Sequence, residues 1–426
     1  MNVGQTNSHP LKRVLLVECA RGAAAVYVCL HHVSTIGQLG ALSMFGKYFL
    51  YPFSFGTQAV FLFFFLSGFS IHYSSHKRPL ATFGGIGHYY YLRFRRIYPI
   101  FLIAVGLSII LYAFTNFLGI VSTTRCLPSG RDLSFVLFFL SDTRNGSWHS
   151  GLANDPALWS LSYEIPYYLV YPVFWKCCKR FGIERAFAVS LLGSGAFILA
   201  DCVQANHISN IFSLYWTWTC GALMAEWKMT DKRFTPSPVV YYYVLFLCYA
   251  VSQSVEASVN SIINSNLRAL YIGILIFSTF INFPPMVLSK RLLAAGGIVI
   301  LLLVSILITR TVPTEGRHIF LDSRFIFAGS LIALLLVTGT NVASVCNILA
   351  KPFLKTGAIS YALYVVHMPI LYFMADILRH TGNSLYWLPF ALLLIFPLAW
   401  WLEIKFQARV AGWLDLTRAK LAGVFQ

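Results

Sequence analysis

The chain enters its first apolar run as Val14-Leu15-Leu16-Val17-Glu18-Cys19-Ala20-Arg21-Gly22-Ala23-Ala24-Ala25-Val26-Tyr27-Val28-Cys29-Leu30-His31-His32-Val33-Ser34-Thr35-Ile36. The run exceeds the about 20 residues that a helix needs to span a bilayer. It nevertheless carries Glu18, Arg21, His31 and His32. Ionisable groups at membrane depth are costly unless paired or facing a wet cavity, so they mark a functional site by default. Arg21 and His32 are eleven residues apart. At about 100° per residue this returns to within roughly 20° of the same face, some 16 Å along the axis. Glu18, one turn before Arg21, completes a polar stripe, and His31 points roughly 100° away from His32.

Eleven more apolar runs follow: Phe55–Tyr73, Ile97–Leu118, Leu158–Trp175, Ala186–Val203, Ile211–Trp227, Val239–Val251, Leu270–Phe283, Leu292–Ile308, Phe325–Thr338, Ala358–Ile377 and Tyr386–Ile404. The composition, 58% hydrophobic and 11% charged, lies far from that of a soluble domain, which is near a quarter charged. The expected fold is all-α: a polytopic membrane bundle of about 10–12 transmembrane helices. One domain is expected, residues 14–407, with short tails at 1–13 and 408–426 and a long outer loop at 119–156.

The net charge of +17 has a topological explanation. With both termini cytoplasmic, 22 Lys and Arg fall on inner segments and 9 on outer ones. This is the positive-inside asymmetry, and it removes the need for a nucleic-acid partner. The lipid bilayer is the expected surrounding, with a multi-pass location in the plasma membrane, and the sequence leaves the oligomeric state open. The nine cysteines form no C-x-x-C, and no disulfide framework or metal site is expected from them.

Polar motifs interrupt the apolar runs. Arg93 and Arg96, three apart, share a helical face from which Arg95 diverges. Paired guanidiniums suit a phosphate-bearing ligand, and membrane anchoring by positive charge is the alternative. Tyr98-Pro99 is expected to open the third span, where the missing N–H of proline is harmless. Glu164 falls about a turn inside the outer end of the fourth run, with Arg21 and His32 as candidate partners. In the outer loop, Phe135–Leu140 is too short to span and suits an interfacial or re-entrant piece. His367 lies mid-run, where a hydrogen-bonded core role is the ordinary one. His72, His207, His318 and His380 show no spacing that singles them out.

Five of these features occur in an order that resembles the acyltransferase 3 family of integral membrane acyltransferases. They are Arg21-Gly22 with His32; Val60 to Phe69, containing Leu66-Ser67-Gly68-Phe69; Arg93 to Pro99; Trp159 to Glu164; and Ile359 to His367 with Pro369. Glu18 stands where the family commonly has Asp, and Pro166 follows Glu164 where a non-proline residue is usual. The family core is commonly described with about ten helices, so either two of the short runs among the twelve are not spans or this chain has an added pair. The resemblance implies O-acetyl transfer from acetyl-CoA to a hydroxyl of a surface polysaccharide, O-antigen or other glycan, across a bacterial inner membrane. His32, Arg21, Glu18 and Glu164 are then the expected catalytic residues. Arg93 and Arg96 are expected to hold the acyl-CoA, with His367, Ser67, Tyr98 and Trp159 structural or substrate-lining. No metal is expected. The rival reading is a proton-coupled transporter or glycan exporter, which intramembrane Glu, Arg and His would also suit.

Overall fold

A computed structural model describes residues 9–37, 53–77, 80–121, 128–141, 152, 155–254, 261–282, 284–311 and 329–424. The described chain is a helical bundle with one isolated β-bridge, Phe234 to Ile281. Its helices are α1 His9–Ile36, α2 Gly56–Lys77, α3 Phe83–Phe117, α4 Gly130–Leu137, α5 Leu161–Phe181, α6 Ile183–Val203, α7 His207–Ser213 and α8 Tyr215–Met229. They continue as α9 Pro238–Ser254, α10 Ser261–Phe277, α11 Leu288–Thr311, α12 Gly329–Thr338, α13 Val342–Ala350, α14 Leu354–Gly357, α15 Ser360–His380, α16 Leu392–Trp400 and α17 Gln407–Val424. The described part of each of the twelve apolar runs is mostly helical; the opening residues of the tenth, 325–328, and the last residue of the eighth, 283, lie outside the described residues.

Among the described residues, five helical stretches are long and apolar enough to cross a membrane: Phe83–Phe117, Ile183–Val203, Ile262–Phe280, Ser360–His380 and Leu385–Lys420. Helices α1, α2 and α5, with 28, 22 and 21 residues, have the length but hold the polar groups of the centre. Large apolar side chains such as Ile110, Leu192 and Leu293 point outward, as a surface solvated by lipid requires. One large core joins α1, α2, α3, α5, α8 and α15. A smaller separate core joins α9, α11 and α12.

Backbone contact replaces side-chain packing at two crossings. A Cβ on Gly68 of α2 would meet the Trp218 carbonyl oxygen at 1.9 Å, and one on Gly221 of α8 the Phe65 carbonyl oxygen at 2.0 Å. Between α1 and α14, Gly22 faces the Phe353 carbonyl and Gly357 the Glu18 carbonyl in the same way, each at 2.2 Å. Small residues permit this approach between membrane helices, where apolar burial alone gives little drive to associate.

Pro99 does not open a helix. Thr82 caps α3, its side chain accepting from the Gly85 N–H at 3.1 Å, so the helix starts well upstream and encloses the whole basic cluster. An interior proline leaves the carbonyl four residues earlier without its donor. The Arg95 carbonyl, freed in this way, accepts from Gln407 Nε2 at 2.6 Å. The Tyr168 carbonyl, freed by Pro172, accepts from the Tyr89 hydroxyl at 3.1 Å. Re-pairing of this kind is what allows proline inside a membrane helix.

The segment after α4 runs deep into the bundle. The Tyr98 hydroxyl donates to the Leu137 carbonyl at 2.9 Å, and the Phe139 and Phe101 ring centroids are 4.5 Å apart. Tyr98 lies nineteen residues before the end of α3, about 28 Å at 1.5 Å per residue. Phe139 has a φ of 58°, a left-handed conformation unusual for a bulky residue, and is buried against Tyr98 and Phe101. Ser162 then donates to the Ser141 carbonyl at 2.5 Å, at the start of α5. This corrects the expected depth of Glu164: the re-entrant segment carries the start of α5 down to the level of Arg21, Arg93 and Arg96. The stretch after Gln407, expected as a tail, is helical and returns to α3. Asp415 there pairs with Arg95 and accepts from the Tyr91 hydroxyl at 2.7 Å.

Candidate active site

Helices α1, α2, α3, α5 and α15 surround a partly open cavity of about 250 Å³. Its charged lining is Arg21, Arg93, Arg96 and Glu164, an excess of two positive charges. Ser67, Tyr168, Ser160 and Tyr364 supply hydroxyls, and Phe63 and Phe64 the apolar wall. Arg93 and Arg96 reach it because their spacing puts both on the inward face of α3. The Arg93 guanidinium lies over the Tyr89 ring at 5.8 Å, and its Nε is buried without a hydrogen-bond acceptor among the described residues. Arg95 leaves the face and pairs with Asp415.

The Glu164 carboxylate accepts from the Tyr168 hydroxyl, one turn along the same helix. Its hydrogen-bond partner is therefore neither Arg21 nor His32. Tyr168 is in turn 3.0 Å from the Ser67 hydroxyl, which accepts from Trp218 Nε1 at 3.4 Å. Arg21 has Glu18 at 3.9 Å, and Glu18 itself stays outside the cavity wall.

His32 also stands apart from the cavity. Its ring is 5.2 Å from that of His367 and 5.0 Å from that of His31. His367 is fully buried, and its Nδ1–H donates to the Tyr364 carbonyl at 2.6 Å. Its Nε2 has no hydrogen-bond partner among the described residues. His31 is held differently, its Nδ1–H donating to the Phe53 carbonyl at 2.6 Å, with Gly56 against the ring. Tyr364 joins the two regions: it lines the cavity, and its ring lies 5.8 Å from that of His367.

Tyr98 and Trp159, also expected at the site, stand outside the cavity lining. Tyr98 anchors the re-entrant segment and stacks on Phe94 at 4.9 Å. Trp159 packs edge-on against Tyr163 at 5.2 Å. Glu403, which the sequence did not single out, lies in a π-helical turn, Trp401–Phe406. Its Oε2 accepts from the Ala362 N–H at 3.1 Å, at the start of α15, and its Oε1 lies 4.0 Å from Arg96. A carboxylate suits a helix N-terminus, and this one also steadies Arg96. Single-turn π insertions within helices are frequent at functional sites.

The helical bundle thus holds a cationic, hydroxyl-lined cavity with a histidine pair beyond Tyr364. The chain belongs to the acyltransferase 3 family, whose sequence model, described as an acyltransferase domain, matches residues 15–404. Neither the curated proteins nor the solved structures include a match.

Proposed function

We propose that this acyltransferase moves an acetyl group from cytosolic acetyl-CoA to a hydroxyl of a surface polysaccharide, O-antigen or related glycan, in the plasma membrane of a bacterium. The observation that carries the reading is the convergence of Arg21, Arg93 and Arg96 on one cavity, with an unmatched buried donor on Arg93. Guanidiniums bind phosphate oxygens bidentately, and CoA is rich in phosphate. The charge asymmetry puts the basic loops on the cytosolic side, where CoA is available.

In this reading the thioester end points past Tyr364 toward His367 and His32. The acceptor hydroxyl attacks the thioester carbonyl carbon while His32 takes its proton. Collapse of the tetrahedral intermediate breaks the C–S bond, and the CoA sulfur leaves with that proton as the thiol. Arg21 and the Glu164–Tyr168 pair hold polar groups along the route. Acyl transfer through His32 as a covalent carrier uses the same atoms in two steps. The test is purified protein in detergent with acetyl-labelled CoA and no ion gradient. Release of CoA thiol, lost in His32→Ala, supports the reading. No turnover with any acyl-CoA, alongside gradient-driven uptake in vesicles, would instead establish the carrier.

A further inference from the structure

On the same α2–α8 pair, outside the cavity, three metal-ligating side chains meet. His72 and His76 are one turn apart on α2, and Glu226 comes from α8. Glu226 Oε2 is 3.3 Å from His72 Nε2 and 2.7 Å from His76 Nε2. One ligand atom from each of the three lies within 4.8 Å of the others. Ligands bound to zinc at about 2.0–2.1 Å stand roughly 3.3 Å apart at the corners of a tetrahedron. The observed separations, from 2.7 Å up to at most 4.8 Å, bracket that spacing.

We propose that His72, His76 and Glu226 form a three-ligand zinc site whose fourth position is held by water. Two imidazoles and one carboxylate are a zinc-type donor set, whereas magnesium and calcium favour oxygen-only shells. His72 is buried, and its Nδ1 is 3.2 Å from the Tyr171 hydroxyl. Such a partner fixes the ring so that Nε2 faces the ion. The side chains of His76 and Glu226 are each 29% exposed, which gives the metal access and leaves room for water. The ion would bridge α2 to α8 close to the cavity, since Ile71 and Ser74, on either side of His72, line its wall.

The test uses the full-length protein in detergent, stripped with a chelator, then dialysed against cobalt or zinc. Wild type should hold one more zinc per chain than His76→Gln or Glu226→Gln. It should also show the visible cobalt band of low-symmetry coordination, which zinc displaces. His76→Gln keeps a hydrogen bond to Glu226 without an imidazole, and His76 is partly exposed, so a folded variant is expected; size exclusion checks this. His380→Ala, an exposed histidine at the end of α15, should bind metal as wild type does. Equal zinc content in wild type and both glutamine variants, or no cobalt band in wild type, would overturn the proposal.

Discussion

The imidazole of His32 packs against that of His367, ring centroids 5.2 Å apart, while His31 turns to the Phe53 carbonyl. The two neighbours in sequence therefore have separate tasks. His32→Ala and His32→Gln should each lower acyl transfer by about 10²–10⁴, the usual worth of general acid–base help. His31→Ala should retain much of the activity and lose some heat stability with its hydrogen bond. Acetyl-CoA turnover in membranes matched for protein level decides this. An active His32→Ala beside a dead His31→Ala would remove His32 from the mechanism.

The three arginines of α3 should also separate. Arg93→Ala and Arg96→Ala should each weaken acetyl-CoA binding by about 1.5–3 kcal/mol, the range for a hydrogen bond to a charged group. Arg95→Ala should cost less, because Arg95 faces Asp415 and not the cavity. Calorimetry on purified variants provides the comparison. Equal losses at all three positions would mean a diffuse basic patch.

Gly68→Val should prevent native assembly, because the added carbons meet a backbone carbonyl that no rotamer change can relieve. The cost should reach or exceed about 3 kcal/mol, the upper end for overpacking. Gly296→Ala, on α11 with open space around it, serves as the tolerated control. The readout is the monodisperse fraction surviving a heat step in detergent. Survival of Gly68→Val at the level of the control would contradict the close crossing.

Asp155, just before the turn that leads into α5 and outside the spanning helices, is fully buried. Burial raises its carboxyl well above the usual carboxylate range, against a smaller opposing pull from the Ala157 N–H. Ionising it costs more in the folded chain than in the unfolded one. Stability relative to Asp155→Asn should then fall as pH rises above the usual carboxylate range, until the buried carboxyl itself ionises. Melting curves across pH should show the asparagine variant ahead at alkaline pH, with the gap closing in acid. A gap independent of pH would contradict this.

Much of the architecture was legible because apolar length is a strong signal: the described parts of the twelve runs are mostly helical, although Ile211–Trp227 is divided between α7 and α8 at Leu214. The spacing of Arg93 and Arg96 likewise gave their common face, since that depends only on local periodicity. The depth of Glu164 was not legible, because it depends on the re-entrant segment after α4, a tertiary event. Pro99 misled for a related reason. Its freed carbonyl is satisfied by Gln407, which no local rule connects to it. Glu403 stayed hidden inside an apolar run. The sequence reading passed over the four-residue spacing of His72 and His76, and Glu226 acquires meaning beside them only through the fold.

The glycine crossing between α2 and α8 also limits how the protein can move. Sliding α2 by one turn, a rise of about 5.4 Å, would bring Phe64 or Phe65, or else Ile71 or His72, to the Trp218 carbonyl, where only a hydrogen atom fits. The two helices are thus pinned in register and must travel as one rigid body. A rocking cycle that shears helices past each other has no freedom at this seam. Substrates must therefore gain access by rotation of side chains or displacement of other segments, with the α2–α8 pair acting as the stator against which they move.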